Sequence, residues 1–421
     1  MNAFPLARSL RALALTFVPL AAATAYAATE PAAGAAAAPT FNPAVSLILS
    51  GTYADLERDP ETFRIGGFFP AGEEIGPGDR GFRLTESELV LSANVDPYFY
   101  GAATLAVTPQ NEVEVEEAFF QTRALPAGLT VKAGRFFSGV GYLNEVHAHA
   151  WDFVDQPLAY QAFLGGQIRQ EGVQLKWLAP ADLFVELGVE AGNGAQFPGT
   201  DRNKNGIGAG AAFVHVGGDV GASNSWRAGI SHLRHSPRDR LYEDEDALGT
   251  PVANSFSGTS RLWIADFVWK WAPNGNPAQQ NFKLQAEYFR RRERGDLTFD
   301  VDGTSAAGTL TDRYEAAQSG GYVQSVYQFM PRWRAGLRYD RLRSGTPTIG
   351  QIESGALVPE DLPLLARHQP SRATVMGEFN PSEFSRFRVQ LARDKSRPDV
   401  RDTQIFLQYI HSLGAHGAHK F

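Results

Sequence analysis

From residue 44 to its end the chain alternates between apolar and polar side chains, in runs of about ten separated by turn residues. The clearest run is RLWIADFVWKW (261–271). It sets Trp263, Ala265, Phe267, Trp269 and Trp271 on one face, with Asp266 and Lys270 on the other. After the turn APNGN, NFKLQAEYFRR repeats the scheme, with Phe282, Leu284, Ala286 and Tyr288 against Lys283, Gln285, Glu287 and Arg291. In WRAGLRYDRLR, Trp333, Ala335, Leu337 and Tyr339 oppose Arg334, Arg338 and Asp340. A period of two is the period of a strand, and each strand here has one greasy and one polar face.

About sixteen such runs follow one another, near 44–55, 82–95, 98–108, 112–123, 128–137, 170–178, 183–192, 208–216, 224–236, 259–272, 280–293, 320–330, 333–343, 370–380, 384–395 and 403–413. Connections after even-numbered runs are mostly tight (DP, LAPAD, MPR, NPSE). Those after odd-numbered runs tend to be long: 56–81, 138–169, 193–207, 237–258, 294–319 and 344–369. In hydrocarbon every backbone N–H and C=O must be bonded within the protein, so a sheet spans a bilayer only when it has no free edge. Tilted strands of about ten residues have the required length. The expected fold is therefore all-β, a transmembrane antiparallel β-barrel of about 16 strands with short periplasmic turns and long external loops. A soluble sandwich or propeller is the alternative. The Trp and Tyr residues at the ends of the outward faces fit interfacial girdles better.

The first residues read as a leader. Arg8 and Arg11 precede an apolar run from about Leu13 to Ala23, and Ala25-Tyr26-Ala27 fits a small-x-small cleavage site. Residues 1–27 are expected to be a secretory signal peptide, 28–43 a flexible Ala/Pro lead-in, and 44–421 the barrel. The apolar run is too short for a spanning helix. Cysteine is absent, which excludes disulfides and thiolate metal sites. A formal net charge of −7 with no basic block excludes nucleic acid as an expected partner. Outer-membrane lipid and lipopolysaccharide are the expected surroundings, in a Gram-negative outer membrane, and the terminal Phe421 is an ending common among such proteins.

With the apolar faces turned to lipid, the polar faces line the lumen. An Arg or Lys facing lipid near the midplane would cost roughly 2–4 kcal/mol, which fixes the inside–outside assignment. The later strands then contribute Lys270, Lys283, Arg291, Arg334, Arg338, Arg372, Arg386 and Arg388. The earlier ones contribute Glu86, Glu88, Glu112, Glu114, Glu116, Glu186 and Glu190. Such a lumen is wet, two-signed and free of an apolar plug, as a water-filled pore requires.

The loop at 138–169 contains GVGYLNEVHAHAWDFVDQPLAY, with aromatic anchors at Trp151, Phe153 and Tyr160 and acids at Glu145, Asp152 and Asp155. Folded inward opposite Arg334, Arg338, Arg386 and Arg388, it would form a constriction. Its transverse field would favour small polar or charged solutes.

His147 and His149, if extended, point the same way and with Glu145 or Asp152 would make zinc ligands. His411, His416 and His419 cluster near the C-terminus. Asp201, Asn203, Asn205 and Gly206 look like the front half of a calcium loop, yet Ala212 stands where a bidentate Glu is needed. The acidic run Glu243 to Asp246 reads as a solvated loop that divalent cations would bridge to lipopolysaccharide. No GxSxG, P-loop, nucleotide fingerprint or HExxH is present, so no enzyme and no cofactor are expected, zinc and calcium being the only candidate ions.

With this strand plan and GRFFSGVG leading into the long loop, the chain resembles outer-membrane porins, in particular the phosphate-selective porin-like barrels. The resemblance implies a passive channel for small hydrophilic solutes and a homotrimer as the assembly. It departs from that class in its scarcity of lysine. NEVHAHAWDFVDQPLAYQAF and LQYIHSLGAHGAHKF also resemble proteobacterial outer-membrane proteins catalogued as zinc-regulated or TonB-dependent receptors. That second resemblance implies metal-linked uptake and a plug of well over a hundred residues. Only about sixteen residues separate the expected cleavage site from the first strand, so metal uptake without a plug stands as the alternative function.

Overall fold

The first strand, Ala44–Leu56, pairs antiparallel with the last, Asp402–Gly414, from Ser46↔Gly414 to Leu56↔Gln404. This pairing closes a ring in a computed structural model that describes residues 43–71, 75–110, 112–200 and 206–414. The expected leader, the lead-in up to residue 42, the Asp201–Asn205 part of the candidate calcium loop, and His416, His419 and Phe421 lie outside the described residues.

Nineteen strand segments form one sheet, and they make sixteen spans. Gly81–Leu84 and Ser87–Asn94 are two halves of one span, interrupted at Thr85 and Glu86. Arg240–Glu245 and Thr348–Ile349 pair only with the external ends of Pro251–Trp271 and Leu310–Met330. Every neighbouring pair of spans is antiparallel and hydrogen-bonded, which leaves the barrel no edge.

The outward and inward faces are those the alternation predicts. Trp263, Phe267, Tyr288, Trp333, Leu337 and Tyr339 are exposed on the outside. Asp266, Arg291, Arg338, Arg372 and Arg388 are buried inside.

Two of the expected loops are largely strand. Residues 237–258 and 294–319 belong mostly to a hairpin and to the long strands Pro251–Trp271, Asn281–Phe299 and Leu310–Met330. The reason is a change of environment along each ribbon. In Asn281–Phe299 the outward face carries Phe282, Leu284, Ala286 and Tyr288 and then switches to Arg290, Arg292 and Arg294, while Phe289, Leu297 and Phe299 are buried inside. Beyond Tyr288 the outer surface meets water, and the strand continues as a solvated rim. Charge on the outward side reads as loop when only a lipid-facing strand is sought.

The external half of the interior is not the plug-free lumen expected above. Phe68 from the first external loop packs with Leu158 and Phe163 of the third, against Leu262, Phe289 and Leu342 of the wall. The helix Leu158–Leu164 is buried at every residue. An apolar core therefore sits inside the barrel, because the inward faces of the long strands become apolar where loops cover them.

Candidate functional site

The third external loop leaves the strand Leu129–Phe137, turns into the barrel and returns to Arg169–Leu178. Asn144 closes its neck: Nδ2 donates to Ser138 O at 2.7 Å and Ile168 O at 2.9 Å, while Oδ1 accepts from Ile168 N at 2.8 Å. Glu287 is the deepest anchor. It accepts from Tyr142 N at 3.0 Å, Leu143 N at 3.1 Å, Tyr160 Oη at 2.9 Å and Tyr322 Oη at 2.5 Å. Gly141 makes this approach possible, since its φ is +71° and a Cβ there would stand 2.5 Å from Glu287 Oε2.

The acidic arm of the loop lies on the basic wall. Asp152 sits 2.5 Å from Lys283 Nζ and 2.6 Å from Arg334 Nη2. Asp155 sits 2.7 Å from both Arg338 Nη2 and Arg372 Nη1 and accepts from Gln390 Nε2 at 2.8 Å. Arg388 donates to Trp151 O at 2.7 Å and pairs with Glu378 at 2.8 Å, and Arg386 donates to His149 O at 3.1 Å. Burial alone would raise the carboxyls of Asp152 and Asp155. The cations Lys283 and Arg334, and Arg338 and Arg372, overcome that and hold Asp152 well below the usual range and Asp155 below it.

The histidine arm lies on the acidic wall. His147 Nδ1 stands 3.2 Å from Glu116 Oε2 and 3.2 Å from Glu88 Oε2, and its Nε2 is 3.1 Å from Glu117 Oε2. His149 Nδ1 is 2.7 Å from Glu88 Oε1. The two rings come together 5.7 Å apart through a short 3-10 turn, Ala148–Ala150, and not through an extended segment.

The residues singled out in the sequence are thus mostly gathered, but in a different relation. Asp152 and Asp155 touch the arginines directly and do not face them across an opening. Glu145 sits on the first 3-10 turn of the loop, within electrostatic reach of Lys176 and Glu186. Glu112 is exposed beside the external turn and does not line the lumen, and Glu114 pairs with Arg169 at 3.6 Å. Glu86 falls at the interruption between two strand segments, beside Glu88 and Glu116.

Sequence reasoning missed Glu117 as a site residue. A bulge between Thr104 and Leu105 of the neighbouring strand skips Glu116, so both Glu116 and Glu117 reach His147. The doublet EE in EVEVEEAFF, which breaks strict alternation, was the available signal. Glu287 was legible as an inward residue, and a lone acid among inward bases marks an anchor.

Partly buried on the lumen side are Arg227, Lys270, Lys283, Arg334 and Arg386, with Lys176 and Glu186 elsewhere on the wall and Glu145 on the loop. A sixteen-span ring with an apolar outer belt, a charged interior and a third loop folded inside is an outer-membrane β-barrel of porin architecture. Solved structures agree on the fold. Pseudomonas putida OprB superposes with a TM-score of 0.52 and 13% identity, covering 89% of this chain and 94% of that one. An anion-selective porin from Comamonas acidovorans gives 0.52 at 11% identity, covering 89% and 100%. OmpT of Vibrio cholerae in its trimer form gives 0.51 at 10%, covering 88% and 99%. No protein-family description matches the chain. It is 33% identical over 362 residues to an uncharacterised protein of Aquifex aeolicus, covering 81% of this chain and 70% of that protein, and it belongs to the same family.

Proposed function

We propose that the barrel is a passive diffusion pore for small hydrophilic or charged solutes, narrowed by the inward loop. The observation that carries this reading is the two-ended anchoring of the loop. Its acids are neutralised on the basic wall and its histidines on the acidic wall, so the loop is fixed inside the barrel as a constriction. Glu145, His147, His149, Asp152, Asp155, Arg334, Arg338, Arg386 and Arg388 are its proposed constriction residues. Their roles are split: Asp152, Asp155, Arg338 and Arg388 hold the loop, while the cations Arg227, Lys270, Lys283, Arg334 and Arg386 border the water. Three of these five pair with only two acids, Asp152 and Glu378, so the basic wall stays net positive and the pore favours anions. A homotrimer is the proposed assembly, supported by the trimer form of the Vibrio OmpT barrel.

Planar-bilayer recording tests the reading. Stable open steps, with a reversal potential in a KCl gradient displaced toward chloride, are expected. A purified, folded barrel that never conducts would end it.

A second reading, uptake of a divalent metal such as zinc, is favoured by one observation. Donor atoms of Glu88, His147 and His149 all lie within 4.8 Å of one another on the lumen wall.

A further inference from the structure

His147 donates or accepts through both ring nitrogens, and each side faces acid. On one side Nε2 lies 3.1 Å from Glu117 Oε2. That is the carboxylate–histidine pairing that orients metal-bound imidazoles and puts the proton on the nitrogen away from the metal. The lone pair of Nδ1 then points at two carboxylate oxygens, Glu116 Oε2 and Glu88 Oε2, each 3.2 Å away. A single proton on Nδ1 cannot serve both. Glu88 is wholly buried, and its Oε2 meets no hydrogen-bond donor besides that shared Nδ1. Its other oxygen, Oε1, meets His149 Nδ1 at 2.7 Å. Glu86 adds a further carboxylate, within 4.8 Å of Glu88 and Glu116.

We propose that Glu88, His147 and His149 form a binding site for a late first-row divalent cation, zinc foremost, with Glu116, 3.2 Å from His147 Nδ1, closing in as fourth donor. Four donors at about 2.0–2.2 Å in a tetrahedron stand roughly 3.3–3.6 Å apart. The 3.2 Å separations from His147 Nδ1 already lie near that, and the donors of Glu88, His147 and His149, within 4.8 Å of one another, would close by little more than an ångström. Two imidazoles and two carboxylates suit zinc. Calcium and magnesium prefer an all-oxygen shell. The cation would supply the positive charge that one proton cannot share between Glu88 and Glu116. It would also join three elements: the strand Ser87–Asn94, the strand Val113–Thr122 and the inward loop. The site is therefore a clasp at the histidine end of the constriction, matching the arginine clasp at the other end.

The inference sharpens the metal reading above and rests on it only for the class of ligand. Binding at equilibrium is measured apart from transport, so a barrel that holds zinc without passing it leaves the site standing while uptake falls.

The experiment uses the full untagged chain in detergent, with His411, His416 and His419 replaced by Ala to remove competing imidazoles, stripped with chelator and dialysed against zinc chloride. One zinc per chain is expected. Glu88→Gln and His149→Ala should each weaken binding by at least ~10-fold. Heat-modifiable migration on gels shows whether each variant is a folded barrel. For any variant that is not, cobalt(II) added to the unmutated site decides: intense visible bands of a four-coordinate ion support the site. The weak spectrum of the hydrated ion overturns it, as does zinc retention unchanged in folded Glu88→Gln and His149→Ala.

Discussion

Asp155 meets Arg338 at 2.7 Å inside the barrel, and the same guanidinium lies 4.8 Å over the ring of Phe153, so one arginine holds two residues of the inward loop. Both partners of the ion pair are almost fully buried. Removing Arg338 leaves a buried carboxylate with one fewer cation, a change that costs about 3–5 kcal/mol. Arg338→Ala should therefore loosen the loop, and Asp155→Asn less so. Hydrogen exchange across 146–164 in folded protein is the measurement, with faster exchange expected in both variants and the larger change in Arg338→Ala.

Acidity should leave this clasp intact over a wide range. Asp152 and Asp155 have depressed carboxyl pKa values, so their contribution is complete above the unfolded value of about 3.9 and disappears only as pH falls through the depressed values. Conductance attributed to loop position should be constant between pH 8 and about pH 5. An opening step in that range would contradict the assignment.

Asp244, on the external hairpin, behaves in the opposite sense. Burial raises its carboxyl to about 6, against hydrogen bonds from the backbone of Leu364 and Glu245. Its ionisation therefore opposes folding: the penalty begins near the unfolded value of about 3.9, grows through about 6 and is complete above it. Amide protection at 240–246, corrected for intrinsic exchange, should be greater at pH 5 than at pH 7.5. Asp244→Asn should abolish the difference.

Glu287 accepts hydrogen bonds from two backbone amides and two tyrosine hydroxyls. Glu287→Ala strands these donors in a dry place, each at about 1–3 kcal/mol. The loss should appear as a lower unfolding midpoint and as noisy, larger conductance steps, whereas Tyr160→Phe, which removes one donor, should leave the steps close to wild type.

The water line on the outer surface is a further testable feature. Leu337 is 62% exposed on the outward face of a spanning strand, while Arg292 sits on the solvated extension of Asn281–Phe299. Leu337→Arg should destabilise the folded barrel in lipid by roughly 2–4 kcal/mol. Arg292→Leu should stay within ~0.5 kcal/mol, as for an ordinary surface change. Denaturant titration in lipid vesicles distinguishes them.

The period-two pattern in runs such as RLWIADFVWKW was enough to place the ring of strands, its even count and the inside–outside sense of nearly every side chain. The reason is local: a strand shows its two faces in its own sequence, and lipid permits only one of them outward. The third loop was also legible as an element that could fold inward, from its length, aromatics and acids. What those residues touch was not. That Asp152 and Asp155 would spend their charge on Lys283, Arg334, Arg338 and Arg372, that Glu117 would join Glu116 through a bulge, and that His147 would settle between Glu88 and Glu117 all depend on contacts between segments far apart in the chain. Alternation is a property of neighbours along a strand. Where a loop lands inside a closed ring is decided by every inward side chain at once, and only the tertiary structure brings those together.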